Sequence, residues 1–301
     1  MSAIFTVIST VLIAIVSLIL PFTSTCSTQL VPPPGPPVYE AYEDALVQEL
    51  KIMSFNIYGP GTGDKKPENR MNGIVSTILE EMPDSVGLQE ATDYFRYKLK
   101  RELCDSYAMA CDYGRHQGLG EGVPILYRKD KYECLDSGVF WLSEKPCVLS
   151  MSWGTSLPRI AAWALLRDKE TGFSYVHYNA HFDHQSEAAR VNSAALLANR
   201  INARNAPAVL TGDFNCEPDS QAYDYLMQAE LRDTAALAGE ADSGCSYHGY
   251  SGETQGVPID FIMANHYLRG VAGYQILRDS YDGLFPSDHF AVMATLTLAN
   301  P

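Results

Sequence analysis

The stretch LTGDFNCEPDS, residues 210–220, ends an apolar run in Asp213, Asn215, Glu217 and Asp219. On an extended backbone residues two apart face the same way, so Asp213 and Asn215 point together at whatever lies beyond the strand. Two readings fit. One is an Asx turn, with both side chains bonding their own backbone before Pro218 opens a helix. The other is a carboxylate and an amide facing a phosphate and its metal. The same habit recurs along the chain: Asn56 and Glu90 end apolar runs, His181 and Asp183 end FSYVHYNAHF, Asp260 lies in PIDFIM, and Asp288 and His289 open the last run. Each alone is an ordinary polar strand end. Together they are what a rigid sheet presents when a site is assembled from the tips of several strands.

Carboxylate and amide oxygens without cysteine suit a hard cation such as magnesium, with Glu90 the first candidate ligand. Imidazoles set among acids serve as general acid and base or as charge partners of a phosphate. Serine hydrolase chemistry fits poorly, because the chain has no G-x-S-x-G elbow and GYSG at residues 249–252 lacks the spacing. HFDH at residues 181–184 is a weak zinc signal, and the absence of any C-x-x-C pair argues against a zinc ribbon.

The elements that must position these residues follow from periodicity. LKIMSFNIY reads as a strand, Met71, Ile74, Val75, Ile78, Leu79 and Met82 recur at helical spacing, and SVGLQE is a second buried strand. TDYFRYKLKREL is helical, SYAMACDY, GVPILYR, GVFWLS, IAAWALL and FSYVHYNAHF are strands, and Ala188, Val191, Ala195, Ala198 and Ile201 mark one face of a long helix. PIDFIMA, VAGYQIL and HFAVMATLTL complete a sheet-rich pattern without internal repeat, which predicts one α/β domain over residues 49–301 with two packed sheets.

The uncharged run AIFTVISTVLIAIVSLILPF predicts an export signal over residues 1–25, or an uncleaved anchor, since about 20 apolar residues also span a bilayer. Residues 26–48 are a proline-rich linker, so the domain is expected outside the cytosol, secreted in the first reading. A net charge of -14 argues against broad binding to phosphate backbones or anionic membranes. Six of the seven cysteines fall in the domain, an even count that permits disulfides in an oxidising compartment without choosing among fifteen pairings.

The ordered set SFNIYG, GLQE, EGVPILYR, LPRIAAWALL, NAHFDH, TGDFNCEPDS, PIDFIM and PSDHFAV resembles the endonuclease/exonuclease/phosphatase superfamily over residues 50–298, and most closely its secreted and bacterial branch of undefined substrate. The resemblance implies a four-layer α/β sandwich and a divalent-metal-dependent phosphoester hydrolase, in the first reading a phosphodiesterase that attacks phosphorus with activated water, with Mg2+ or Mn2+ as cofactor. Carried onto this sequence it makes Glu90 the main metal ligand, with Asn56 and Asp288 beside it. Asp213 and Asn215 position the water and the phosphate; His289, oriented by Asp260, contacts the scissile phosphate; His181 is a second catalytic imidazole with Glu121 as its orienting partner. Arg159 neutralises phosphate charge. His248 and His184 are substrate contacts or structural hydrogen bonders, whereas His116, His177 and His266 match no motif. By analogy with the secreted deoxyribonucleases of the superfamily, Cys216 and Cys245 are the preferred disulfide. The implied partner is a phosphoester substrate: nucleic acid, nucleotide or another phosphodiester. The alternatives are a phospholipid or inositol-phosphate phosphatase and a non-catalytic phospho-ligand-binding scaffold; the chain is read as a monomer without a stable protein partner.

Overall fold

The computed structural model describes residues 46–301, so the leader over 1–25 and nearly all of the linker lie outside the described residues. The chain enters the fold at β1 (Val47–Asn56), two residues ahead of the expected domain start. There follow α1 (Pro67–Glu81), β2 (Ser85–Gln89), α2 (Asp93–Glu102), β3 (Tyr107–Ala110), the short pair β4 (Gly114–His116) and β5 (Leu119–Gly122), and β6 (Ile125–Arg128). The second half runs β7 (Tyr132–Trp141), β8 (Ile160–Asp168), β9 (Ser174–His181), α3 (Glu187–Ala203), β10 (Ala208–Asp213), α4 (Gln221–Gln228), β11 (Arg232–Asp233), α5 (Thr234–Leu237), β12 (Asp260–Ala264), β13 (Leu268–Leu277) and β14 (Ala291–Ala299).

Two six-stranded sheets form, in the orders β13-β14-β1-β2-β6-β3 and β11-β12-β10-β9-β8-β7. Period-two alternation explains why they stack. On β1, Leu50 and Ile52 join Ala164, Leu166, Val209, Ile262 and Leu296 in the layer between the sheets, whereas Met53 and Phe55 join Met71, Ile74, Ile78, Phe95 and Leu99 of α1 and α2 on the outer face. On the other sheet Val176, Tyr178 and Leu210 face outward onto Leu197, Ala198 and Ile201 of α3 and Leu226 of α4. The order helix, sheet, sheet, helix is the expected four-layer sandwich. Its helices start where sequence places caps: Thr92, Ser186 and Ser220 accept from the N–H three residues on, and Pro67 opens α1. The buried face of α3 is centred on Ala194, Leu197, Ala198 and Ile201; Ala188 is exposed and Ala189 takes its place.

The layer between the sheets is not uniformly apolar. The stripe Ser85, Gly87, Gln89 of β2 faces Tyr175, His177, Asn179, His181 of β9 and Thr211, Asp213 of β10, with parallel pairs β1/β2 and β9/β10 running to the same edge. Asn179 donates to the carbonyls of Leu88 and Val123 at 2.8 and 3.1 Å, and its Oδ1 accepts from Gln89 at 2.7 Å and Thr211 at 3.0 Å. His177 bridges Ser85 and Thr211, both at 2.8 Å, and burial lowers its pKa to about 3, so the ring is neutral. His177, which matched no motif, therefore cross-links the sheets.

Gly87 is the point of closest approach, because a Cβ there would stand 2.0 Å from Thr211 Oγ1 and 2.6 Å from Asn179 Oδ1. Gly87→Ala is expected to destabilise the domain by about 3 kcal/mol, the overpacking cost plus that of unpairing buried polar groups. Urea unfolding measures this; a loss below about 0.5 kcal/mol, the scale of ordinary surface changes, would show that the seam does not set the sheet spacing.

Candidate active site

One edge of the sandwich collects the C-terminal ends of β1, β2, β9 and β10 and the N-terminal ends of β12 and β14. There Glu90, Glu121, Arg159, His181, Asp213, Asn215, Asp288 and His289 line one cleft of about 420 Å³. Asn56 and Asp260 stand behind them, and His248 does not reach the lining.

The central carboxylate is Asp213, 2 % exposed. Its Oδ1 accepts the N–H of Asn215 at 2.9 Å, which is the Asx turn. Its Oδ2 accepts Asn56 Nδ2 at 2.9 Å and lies 3.7 Å from His181 Nε2 and 3.8 Å from His289 Nε2. The Asx turn of LTGDFNCEPDS is therefore formed by one oxygen, while the helix that follows opens at Gln221 behind its cap Ser220 and not at Pro218; the other oxygen stands beside the two imidazoles. Burial, then the neighbouring Asp260 carboxylate, raises the Asp213 pKa.

The two imidazoles beside Asp213 are electrostatically opposite. Burial opposes charge on His289, but Asp260, 2.7 Å from Nδ1, overrides it and brings the ring up to about 10. Asp260 is itself held by Ser246 Oγ at 2.5 Å. His181 has no such carboxylate; burial first, then the positive field of Arg159, drives its pKa well below the usual value. One ring is held as an imidazolium at neutral pH and the other is held neutral.

Glu90 accepts Gly59 N–H at 2.9 Å and Asn56 Nδ2 at 3.2 Å. Asn56 thus bridges Glu90 and Asp213 with one amide nitrogen, while its oxygen accepts Tyr58 N–H at 3.0 Å. The amide nitrogen steers the two carboxylates, and its oxygen is engaged by backbone. Glu90, Asn215 and Tyr58 all sit at positive φ, 58°, 48° and 52°, a conformation unfavourable to non-glycine residues that recurs at functional sites.

Several expectations need correction. Glu121 does not orient His181: its carboxylate pairs with Arg115 Nη1 at 2.7 Å, and burial raises its pKa. His248 stacks on Phe290 at 3.9 Å and its Nδ1 accepts Gly252 N–H at 3.2 Å, while its own N–H and that of Gly249 clamp the Asp288 carbonyl. It is therefore a packing residue that shapes the loop under Asp288, not a phosphate contact. Cys216 and Cys245 are free thiols. Cys216 packs with Ala222 and Leu226 on the helix side of its sheet, whereas Cys245 donates to the carbonyls of Tyr247 and Gln255 in its own loop. Arg159 lines the cleft, tied to Asp183 at 3.4 Å and to exposed His184 at 2.9 Å.

Four contributors went unread. Arg115 reaches the cleft from the β4–β5 hairpin, and Tyr247, 50 % exposed, overhangs the His289 ring at 5.0 Å. Buried Arg70 gives all five N–H groups to the carbonyls of Ile57, Tyr58, Pro60, Lys65 and Pro286, tying the loop after β1 to the segment before Asp288. Buried Arg96 likewise binds Asp93, Asp112 and the carbonyls of Ala91, Gly118 and Gly120, anchoring the hairpin that carries Arg115 and Glu121. The signal for the hairpin was present in the spacing of glycines in GRHQGLGEG.

A cation fits one part of the site better than another. Asp213, Asp260 and His289 lie close enough together to hold an ion, but Asp260 and His289 are already spent on each other. Glu90 and Asp288 line the same cleft as two carboxylates; burial, then Glu90, raises the Asp288 pKa. An all-oxygen pair that leaves positions for water and substrate is the donor set of a hard divalent ion.

The Endonuclease/Exonuclease/phosphatase family model matches residues 53–289, and the chain belongs to that family of phosphoester hydrolases. Similar solved structures include an endonuclease/exonuclease/phosphatase family protein from Bacteroides thetaiotaomicron, with TM-score 0.80 and 29 % identity over 85 % of this chain and 97 % of that one. A mannosyl-6-phosphatase of the same organism aligns with TM-score 0.78 and 30 % identity, over 82 % of this chain and 99 % of its own. The endonuclease/exonuclease/phosphatase from Bacteroides vulgatus gives 0.78 and 32 %, over 83 % and 99 %. No curated protein matches the chain.

Asp260→Asn removes the charge that holds His289 protonated while keeping an acceptor for its Nδ1–H. The His289 titration is expected to fall by about 2 pH units with the fold intact. Ring NMR shifts followed against pH measure it; an unmoved titration would show that Asp260 is not what charges the ring.

Proposed function

We propose that this protein hydrolyses a phosphoester of a small ligand, with a divalent cation, magnesium or manganese in its place, held by Glu90 and Asp288. The observation that carries this reading is the Asp213 carboxylate flanked by a cationic and a neutral imidazole, in one cleft with Glu90. The cation supplies neutralisation of the phosphoryl oxygens. The protein's own residues do the rest. Asp213, kept basic by burial and oriented by Asn56 and Asn215, accepts a proton from the attacking water. His289 donates from Nε2 to a non-bridging oxygen, with Asp260 stabilising its charge, and Arg159 adds a second positive group. His181 stays neutral and hydrogen-bonds water or phosphate without adding repulsion toward Arg159.

A small substrate is favoured over a nucleic acid on two grounds. The chain carries a net charge of -14, and a cleft of about 420 Å³ is the size of a small-molecule site. The mannosyl-6-phosphatase at 30 % identity supports the same direction. We place the activity outside the cytosol, delivered by the uncharged leader and the proline-rich segment.

Chelation, Glu90→Ala and His289→Ala are each expected to lower kcat/KM by about 100-fold or more, and the double variant to be little worse than either, because groups acting on one transition state are not additive. The assay is a magnesium panel of sugar phosphates, nucleotides, inositol phosphates, sphingomyelin and plasmid DNA, with circular dichroism to confirm folding. The acid limb has a definite sign: a base must be deprotonated, and burial raises Asp213, so kcat/KM is lost as pH falls through a value well above the ordinary carboxylate value of about 4. Activity that survives exhaustive chelation, or near-native turnover in both single variants, contradicts the proposal.

A further inference from the structure

Behind Glu90 the cleft narrows into a recess of about 10 Å³, walled by Arg115, Glu121, Arg159 and His181 and backed by Val123 and Ile160. That is room for about one water or one phosphate oxygen. The Arg115–Glu121 ion pair, 2.7 Å long, lines this end, and the hairpin carrying it is pinned by Arg96 through the carbonyls of Gly118 and Gly120. Arg115 is itself incompletely bonded: its buried Nε has no hydrogen-bond partner among the described residues. At the opposite end the cleft is bounded by Tyr58, Pro60, Ile259 and half-exposed Tyr247.

Resting on the phosphoesterase reading, we propose that this geometry makes the protein an end-on phosphomonoesterase, with Arg115 as the residue that selects a terminal phosphate. A diester carries a second organic arm on phosphorus, and one arm would have to pass through a recess that holds a single oxygen. A monoester has only one arm, which leaves toward Tyr247 while an unsubstituted oxygen enters the recess. Charge agrees with shape. A monoester carries about −1.5 to −2 at neutral pH, and its oxygens are strong acceptors for paired guanidinium groups. Arg115 and Arg159 supply two such groups on one wall. In the reaction the water oxygen forms a bond to phosphorus as the bond from phosphorus to the ester oxygen breaks. One water proton passes to Asp213 and on through cleft water to the departing alkoxide, giving an alcohol and hydrogen phosphate. Arg115 touches the phosphate and moves no proton.

The test compares p-nitrophenyl phosphate with bis(p-nitrophenyl) phosphate on the magnesium-loaded full domain, together with calorimetric binding of inorganic phosphate. Wild type is expected to favour the monoester by more than about 10-fold in kcat/KM. Arg115→Ala is expected to lower monoester kcat/KM and phosphate affinity by about 10- to 100-fold, the loss of a hydrogen bond to a charged group, and to change diester turnover by less than about 3-fold. Arg115→Lys, which keeps the charge but not the planar fork, falls between the two and guards against a folding artefact. A wild-type preference for the diester, or equal losses on both esters in Arg115→Ala, overturns the inference while leaving hydrolysis standing. If neither ester nor any substrate of the wider panel is cleaved, the hydrolase reading fails. Phosphate binding then still decides the role of Arg115, and unchanged affinity in the variant refutes it.

Discussion

The architecture depends on how closely two sheets can approach at Gly87. An ordinary sandwich core is apolar and tolerates small slips between its layers. Here the two inner faces meet through Gln89, Asn179, Thr211, His177 and Ser85, each bonded to a named partner, so a displacement of either sheet strands buried donors and acceptors. Such groups are costly to leave unpaired, and directional bonds fix a position that hydrophobic contact alone leaves soft. The same period-two stripe continues outward: from Asn179 to His181, from Thr211 to Asp213, from Ser54 to Asn56. The site is the solvent end of the seam, and its geometry is inherited from the packing beneath it.

Around that fixed floor the walls are loops, and the protein holds them with charge instead of apolar burial. Arg70 and Arg96 each commit a complete guanidinium to loop partners, mainly backbone carbonyls, one on either side of the cleft. Burying a guanidinium is unfavourable unless every donor is met, and each of these two meets all five. The electrostatic asymmetry of the site follows from placement. His289 and His181 are both buried beside Asp213, yet among the described residues His289 alone of the two has a carboxylate on its far nitrogen, and Arg159 is the leading charge that acts on His181.

Much of this was legible in the sequence where the signal was local and periodic. The apolar run LKIMSFNIY gave β1, helical spacing gave α1, and the runs ending in Asn56, Glu90, His181 and Asp213 gave the edge at which the cleft lies. What escaped depends on where a side chain turns once the strands are packed. Glu121 was matched to the correct wall but the wrong partner, because Arg115 lies across a hairpin whose only trace was its glycine spacing; at Gly114 a Cβ would meet the Leu119 carbonyl at 2.2 Å. His248 carries a motif-like neighbourhood, but two aromatic rings, Phe285 and Phe290, claim it. Cys216 and Cys245 lie in adjacent motifs, yet one side chain packs under the outer helices and the other stays within its own loop, which sequence proximity does not encode.

The left-handed backbone at Glu90 carries a consequence for anyone redesigning the enzyme. Glycine is the residue that such a φ favours, and substituting it is a standard way to gain stability at a strained position. At residue 90 that remedy deletes the carboxylate which the strain exists to aim, and at Asn215 it deletes an amide on the cleft wall. Thermal hardening of this fold therefore has to be sought away from the active-site edge, in helices and surface loops. The most tempting local repairs coincide with side chains that line the cleft.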